Sequence, residues 1–220
     1  IQEHFGAAPT AGAFHSLSSI AALDQVLTHG ARWDPLILID PPIFPPPGHE
    51  LTELEERNMN EMCALARRRP TRYPSYQAFA DQLASRPAFA RWVPGAPLLF
   101  AQSTLRPDPD GDGVVLCCPR EMEANIFVTN VDPTLWPRAG EIEAPIKVIG
   151  ADPKLEFQHS PSILCRAFAE DQGLDYTMIE DTTHFLQIER PEAVHRVLTD
   201  FLARHGAGPV GADHQPVAPA

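Results

Sequence analysis

The feature that most constrains the fold is the run Leu36–Ile39, four consecutive apolar residues that lie between Pro35 and Asp40. A short strand without polar residues is typical of a parallel sheet that is covered on both faces. Apolar residues also recur at helical spacing over 17–29, and Gly30 can end that helix. The first part of the chain therefore predicts a helix followed by a buried strand.

The same alternation returns near the end of the chain. A mostly apolar run at 146–149 is followed by a helical pattern over 162–172, a second strand at 176–180 and a final helix that begins near Pro191. Strands that alternate with helices in this way predict an α/β fold, in which a parallel sheet is flanked by helices.

The middle of the chain has a different pattern. A charged amphipathic helix is predicted over 50–69 and another over 76–85, with no long strand between them. The last fourteen residues are small, rich in proline and without periodicity. The predicted organisation is therefore a core over 1–44, a helical insertion over 45–140, the rest of the core over 141–206 and a disordered tail over 207–220.

Composition excludes several classes of partner. The chain has 17 basic and 29 acidic residues, a formal net charge of −12, which opposes binding to nucleic acid or to an anionic membrane surface. It has no apolar run near the ~20 residues of a membrane span. Four cysteines without CxxC spacing indicate reduced thiols and a cytoplasmic protein. No phosphate loop, GxGxxG or HExxH motif is present, so no cofactor or metal is predicted.

Three residues that could form a catalytic group occur in the order Ser16, Asp152, His184, and each follows a predicted strand. The carboxyl ends of parallel strands meet at one edge of a sheet, where catalytic groups collect. A serine hydroxyl becomes a nucleophile when an imidazole takes its proton, and a carboxylate must hold that imidazole in one tautomer. The three residues therefore predict nucleophilic catalysis, although Ser16 could also cap the following helix and His184 could be an ordinary loop histidine.

The segment 14–18, with the sequence Phe-His-Ser-Leu-Ser, resembles the nucleophile elbow of the α/β-hydrolase superfamily. Residues 145–152 resemble its seventh strand and acid loop, and 183–192 resemble its histidine loop and final helix. The insertion lies where that superfamily has its helical cap. The resemblance covers nearly all of residues 1–206.

This resemblance implies that Ser16 is the nucleophile, that His184 is the base and that the backbone N–H of Leu17 contributes to an oxyanion hole. For the acid it leaves two candidates. Asp152 follows the expected strand and is the preferred one. Asp40 ends the strand Leu36–Ile39, from which some members take their acid, and it is the alternative.

The chain departs from the family in two ways. Phe14 and Ser18 occupy the glycine positions of the pattern G-x-S-x-G. In addition, four strands and a loop with a second oxyanion donor precede the elbow in that family, whereas 15 residues precede Ser16 here. We therefore expect the C-terminal part of such a fold, weakly active and loosely folded on its own, with about 80–100 upstream residues needed to complete it.

The predicted function is a serine hydrolase, without cofactor or metal, that cleaves an ester, thioester, lactone or activated C–C bond of a small, apolar molecule. A pocket for the apolar part of that substrate is expected from aromatic residues of the insertion. The alternative is a non-catalytic protein of the same fold that serves in binding or interaction. The aromatic residues expected in the pocket are Phe89, Trp92, Phe100, Phe127 and Trp136.

Overall fold

A computed structural model describes residues 10–30, 33–129, 131–155 and 161–206 of the protein. The tail predicted over 207–220 lies outside the described residues. The strands are β1 (Gly12–His15), β2 (Leu36–Ile39), β3 (Arg72–Tyr73), β4 (Leu105–Pro107), β5 (Val114–Leu116), β6 (Ile146–Gly150) and β7 (Asp175–Met178). The α-helices are α1 (Leu17–His29), α2 (Thr52–Arg68), α3 (Tyr76–Ala84), α4 (Ala96–Thr104), α5 (Arg120–Thr129), α6 (Leu135–Arg138), α7 (Pro161–Asp171), α8 (Leu186–Glu189) and α9 (Pro191–Arg204).

The core is a four-stranded sheet in the order β1-β2-β6-β7. Every neighbouring pair is parallel, and the register places Phe14 beside Leu38, Leu38 beside Val148 and Val148 beside Tyr176. The α/β class and the parallel sheet flanked by helices are thus confirmed. Along its free edge, β1 has no partner strand among the described residues.

Helices cover both faces of the sheet, which explains why β2 is apolar at every position. Leu36 and Leu38 face a cluster built with α1, α6 and α7. Ile37 and Ile39 point to the opposite face, where α9 packs. All four side chains are buried, and full burial of each stabilises the fold by roughly 1.5–3 kcal/mol.

The segment between β2 and β6, called here the inserted segment, has a small core of its own. It contains a three-stranded antiparallel sheet in the order β3-β5-β4, in addition to the helices expected from the sequence. Strands β3 and β4 have only two and three residues, so they are too short to show an alternating pattern, and the sequence predicted neither. Helix α6 at the end of the segment packs into the main core through Leu135 and Trp136.

Helices α2 and α5 of the inserted segment pack against each other through Cys63, Ala66 and Ala124, with Phe127 beside them. α2 has 17 residues and begins with two acidic side chains, Glu53 and Glu55, in its first turn. Within the described ranges, no helix is both long and apolar enough to cross a bilayer.

The packing of α7 against the sheet can be tested with a matched pair of leucines. Leu164 on α7 is 0% exposed, whereas Leu99 on α4 is 68% exposed. We expect Leu164→Ala to lower the free energy of unfolding by about 2–5 kcal/mol, because it leaves a cavity. Leu99→Ala should change it by less than about 0.5 kcal/mol. Urea unfolding followed by circular dichroism measures both, and equal effects would contradict this description of the core.

Candidate active site

Ser16 lies in a sharp turn that joins β1 directly to α1. Its backbone has φ 56° and ψ −129°, a left-handed conformation that is uncommon for a residue other than glycine. The Ser16 N–H donates to the carbonyl of Ile39 on β2 at 3.0 Å, and α1 begins at the next residue. Backbone strain of this kind clusters at functional sites, and here it presents the serine hydroxyl at the carboxyl edge of the sheet.

Two larger residues occupy the glycine positions of this turn, and the structure accommodates both. The Phe14 ring packs edge-on against Trp33, with the ring centroids 5.2 Å apart. Gly12 makes room for this pair, because a Cβ atom there would lie 2.5 Å from the Phe14 ring. The Ser18 hydroxyl accepts from the His15 N–H at 3.0 Å and donates to the His15 carbonyl at 2.6 Å. The turn therefore tolerates Ser18 because its hydroxyl bonds to the His15 backbone, and it tolerates Phe14 because Gly12 leaves space for the ring.

His184 connects Ser16 to a buried carboxylate. Its Nε2 atom is 2.9 Å from Ser16 Oγ, and its Nδ1 atom is 2.7 Å from Asp40 Oδ2. The His184 side chain is 15% exposed and that of Asp40 is 0% exposed. When Nδ1–H donates to the carboxylate, Nε2 carries the lone pair that can accept the serine proton.

The carboxylate at His184 belongs to Asp40, so the expectation that Asp152 lies there is wrong. Asp40 follows β2, the direct neighbour of β1, and its second oxygen accepts from the Ala151 N–H at 3.1 Å. Asp152 follows β6, one strand further from Ser16. Its carboxylate accepts from the backbone N–H groups of Lys154 and Asp181 at 3.0 and 3.1 Å. It therefore ties two loops together at the edge of the sheet.

The loop that carries His184 is fixed by a second buried carboxylate, which the sequence did not reveal. Glu189 is 6% exposed and accepts the Thr183 N–H at 2.7 Å and the Thr183 hydroxyl. The residue before Thr183 is also fixed, because the Thr182 hydroxyl donates to the Ile179 carbonyl at 2.6 Å. Glu189 lies within 183–192, the segment already set apart by its sequence, but only the folded loop shows which backbone groups it holds.

The neighbouring His15 also holds this loop, from the side of the elbow. Its ring lies 4.6 Å from that of His184, and its Nε2 atom is 2.8 Å from the His184 carbonyl oxygen. Burial, together with the nearby His184, lowers the pKa of His15 to about 4. His15 is therefore neutral near pH 7 and donates through Nε2–H.

A buried thiol lies on the other side of Asp40. Cys165 is 0% exposed, and its pKa is raised by burial, by the charge of Asp40 and by a hydrogen bond with that carboxylate. The thiol therefore stays protonated beside the carboxylate. Gly150 makes this approach possible, since a Cβ atom there would lie 2.7 Å from Cys165 Sγ and 2.6 Å from the Tyr176 hydroxyl.

Ser16 and His184 open into a cleft of about 430 Å³ between the sheet edge and the inserted segment. Phe89, Phe100 and Phe127 line this cleft, as expected from the sequence. Trp92 packs behind Phe89 and Phe100. Trp136 does not belong to the pocket, which corrects that expectation. It is 1% exposed in the main core, because α6 packs there.

A smaller cavity of about 70 Å³ adjoins Ser16 and His184 on another side, where α2 contributes Met59 and Met62 to its wall. The same helix also contributes the buried Glu55, whose carboxylate accepts from Asn58 Nδ2 at 3.3 Å. The two cavities share the Ser16 hydroxyl. A molecule whose reacting group lies at Ser16 can thus extend to either side.

The pKa of His15 leads to a pH-dependent stability that can be measured. The folded pKa of about 4 lies below the value of about 6.5 in an unfolded chain. Between these two values the unfolded chain binds a proton that the folded protein does not, so stability is lost as the pH falls from 6.5 to 4. The loss due to His15 should be about 3 kcal/mol.

We expect His15→Gln to remove this part of the dependence, because glutamine can donate the same hydrogen bond without titrating. Urea unfolding at pH 7, 5.5 and 4 measures the difference from the unsubstituted protein. His195→Gln is the control, since that side chain is exposed on α9. Parallel pH curves for His15→Gln and the unsubstituted protein would refute the assignment.

No family model matches the sequence, and no curated protein is significantly similar to it. Solved structures do resemble this one. E-2-(acetamidomethylene)succinate hydrolase superposes with a TM-score of 0.70 at 16% identity, over 91% of this chain and 69% of that protein. The enol-lactonase from Burkholderia xenovorans LB400 gives 0.56 at 18% identity, over 92% of this chain and 68% of that protein.

A third similar structure carries the name of the fold. The peroxisomal alpha-beta-hydrolase Lpx1 from Saccharomyces cerevisiae superposes with a TM-score of 0.58 at 14% identity, over 93% of this chain and 55% of that protein. At such identities the likeness concerns the backbone arrangement. The parallel sheet, the elbow between β1 and α1 and these superpositions together show that the chain has the α/β-hydrolase fold.

Proposed function

We propose that the protein is a serine hydrolase that cleaves an ester, thioester or lactone, with Ser16 as nucleophile, His184 as general base and Asp40 as the acid. One observation carries the proposal. A continuous line of hydrogen bonds runs from buried Asp40 through both ring nitrogens of His184 to the Ser16 hydroxyl. That hydroxyl lies at the floor of an aromatic cleft. The names of the similar structures, which include a hydrolase and an enol-lactonase, also support it.

In this proposal the proton transfers follow the two hydrogen bonds of His184. Ser16 Oγ attacks the substrate carbonyl carbon while His184 Nε2 takes the hydroxyl proton, and the charge of Asp40 stabilises the resulting imidazolium. His184 then gives this proton to the leaving oxygen or sulfur as its bond to the carbonyl carbon breaks. Water, activated by His184 in the same way, releases the acyl group from Ser16 and restores the enzyme.

The negative oxygen of the tetrahedral intermediate needs hydrogen-bond donors, and the start of α1 provides one. Leu17 is the first residue of this helix and lines both cavities. An N–H in the first turn has no carbonyl within its own helix to bind, and the helix dipole makes this end positive. We therefore assign the Leu17 N–H to the oxyanion hole.

The two candidate acids can be separated by a matched pair of substitutions. Asp40→Asn should lower kcat for p-nitrophenyl butyrate by about 10⁴-fold, because an amide at this position favours the wrong tautomer of His184. Asp152→Asn should cost less than about tenfold, because its amide oxygen can still accept a backbone N–H. Circular dichroism checks that both variants fold. A larger loss for Asp152→Asn than for Asp40→Asn would exclude Asp40 as the acid.

Covalent labelling tests whether the protein is catalytic at all. A fluorophosphonate probe should label Ser16, identified by mass spectrometry of the tryptic peptide, because His184 activates that hydroxyl. Ser16→Ala and His184→Ala should abolish labelling. Ser103→Ala, which alters an exposed serine on α4, should leave it unchanged. A folded protein that fails to react at Ser16 would instead be a non-catalytic binding protein of the same fold.

A further inference from the structure

The ionised side chains in the wall of the larger cleft are unevenly paired. Besides its histidines, the cleft is lined by the charged residues Arg69, Arg86 and Glu123. Arg69 and Glu123 form an ion pair at 2.9 Å and largely neutralise each other. Among the described residues, no carboxylate lies within ion-pair distance of Arg86. One positive charge in the cleft is therefore left without a counterion.

Arg86 lies in the short connection between α3 and the next turn of the chain. It follows the end of α3 and directly precedes the 3₁₀ turn Pro87–Phe89. Its own N–H donates to the Leu83 carbonyl at 3.0 Å. Gln82 lies one turn earlier and lines the same cleft, so an amide and a guanidinium both contribute to its wall.

Arg86 is itself exposed, and the cleft wall next to it is aromatic. Phe79 and Phe89 line the cleft on either side of it in the sequence, and apolar walls strengthen a charge interaction relative to open water. The charge of Arg86 also reaches Tyr73 in the same wall. Burial raises the pKa of that phenol, while the charges of Arg69 and Arg86 act against this rise.

We propose that Arg86 binds a carboxylate of the substrate, so that the preferred substrates are esters that carry a second, ionised acid group. This inference rests on the proposed hydrolase function and names its substrate class. A guanidinium presents two parallel N–H donors that match the two oxygens of a carboxylate. The reaction remains hydrolysis, in which water adds and the ester C–O bond breaks to give an acid and an alcohol. The anchored carboxylate is unchanged.

The wall of the smaller cavity beside Ser16 is mostly apolar and includes Ile20, Pro42 and Met59. The larger cleft holds Arg86 and a neutralised ion pair. The charged arm of the substrate therefore lies on the Arg86 side of Ser16, and the uncharged arm lies on the side of Met59.

The test compares each acidic ester with its neutral methyl ester. One pair, p-nitrophenyl hydrogen glutarate and p-nitrophenyl methyl glutarate, carries the acid on the acyl side. The other, 4-acetoxybenzoate and methyl 4-acetoxybenzoate, carries it on the alcohol side. In at least one pair, the unsubstituted protein should favour the acidic member in kcat/KM. Arg86→Gln should lower that ratio by about 10- to 100-fold, mainly through KM, since the lost contact contributes to binding in the ground state and transition state alike.

Two further variants show whether the effect depends on the position and shape of the charge. Arg86→Lys should recover only part of the preference, because an ammonium lacks the planar pair of donors. Arg106→Gln should keep the full preference, because Arg106 lines a separate depression on the inserted segment. A ratio that is unaltered in Arg86→Gln, or that falls equally in Arg106→Gln, overturns the proposal.

A binding measurement separates this proposal from the hydrolase proposal. Ser16→Ala should bind glutarate in isothermal titration calorimetry, and Ser16→Ala with Arg86→Gln should bind it at least 10-fold more weakly. If the double variant binds glutarate as well as Ser16→Ala does, Arg86 is not the anchor. If binding depends on Arg86 but no ester is turned over, the carboxylate site stands and the hydrolase function is wrong.

Discussion

A carboxylate that is removed from water is stable only where other groups replace its solvent, and Asp40 meets this condition in a way that orders the rest of the site. Its side chain is 0% exposed, and burying an unpaired charge would cost several kcal/mol. The Ala151 N–H and the His184 ring bind its two oxygens, while the Cys165 thiol lies beside it. These contacts come from the residue that follows β6, from α7 and from the loop that carries His184, so the Asp40 carboxylate is satisfied only when the whole edge of the sheet has assembled.

The same edge holds His184 from two more directions. Glu189 binds the backbone and hydroxyl of Thr183, and His15 binds the carbonyl of His184 itself. Since both contacts act on the backbone of the loop, they fix the position of the ring while its two nitrogens bind Asp40 and Ser16. The strained backbone of Ser16 is kept in place by its hydrogen bond to Ile39. Three neighbouring segments thus define one distance, from Ser16 Oγ to His184 Nε2.

The sequence predicted the parallel sheet because β2 is apolar at every position, and this pattern reports burial on both faces directly. It also predicted that Ser16 and His184 meet, since both follow strands whose carboxyl ends share an edge. For the carboxylate beside His184 it preferred Asp152 and left Asp40 as the alternative, because these residues follow β6 and β2 and the order of strands across the sheet is not encoded in the local pattern. Glu189 was missed for a similar reason, since its partner is a backbone group that only the folded loop presents.

Two kinds of electrostatic interaction act on this site: the long-range field of the whole chain and the short-range contacts of single side chains. The chain has a formal net charge of −12, which repels an anion from a distance, but salt screens such forces beyond about 8 Å under physiological conditions. Arg86 acts at contact, on a wall that is shared with aromatic rings. Asp40 also acts at contact, through its hydrogen bond with His184 Nδ1. An anionic ester would therefore approach slowly at low salt and yet be held once inside. Added salt would weaken the repulsion of the surface more than the contact with Arg86, because that contact acts over a distance much shorter than the screening length.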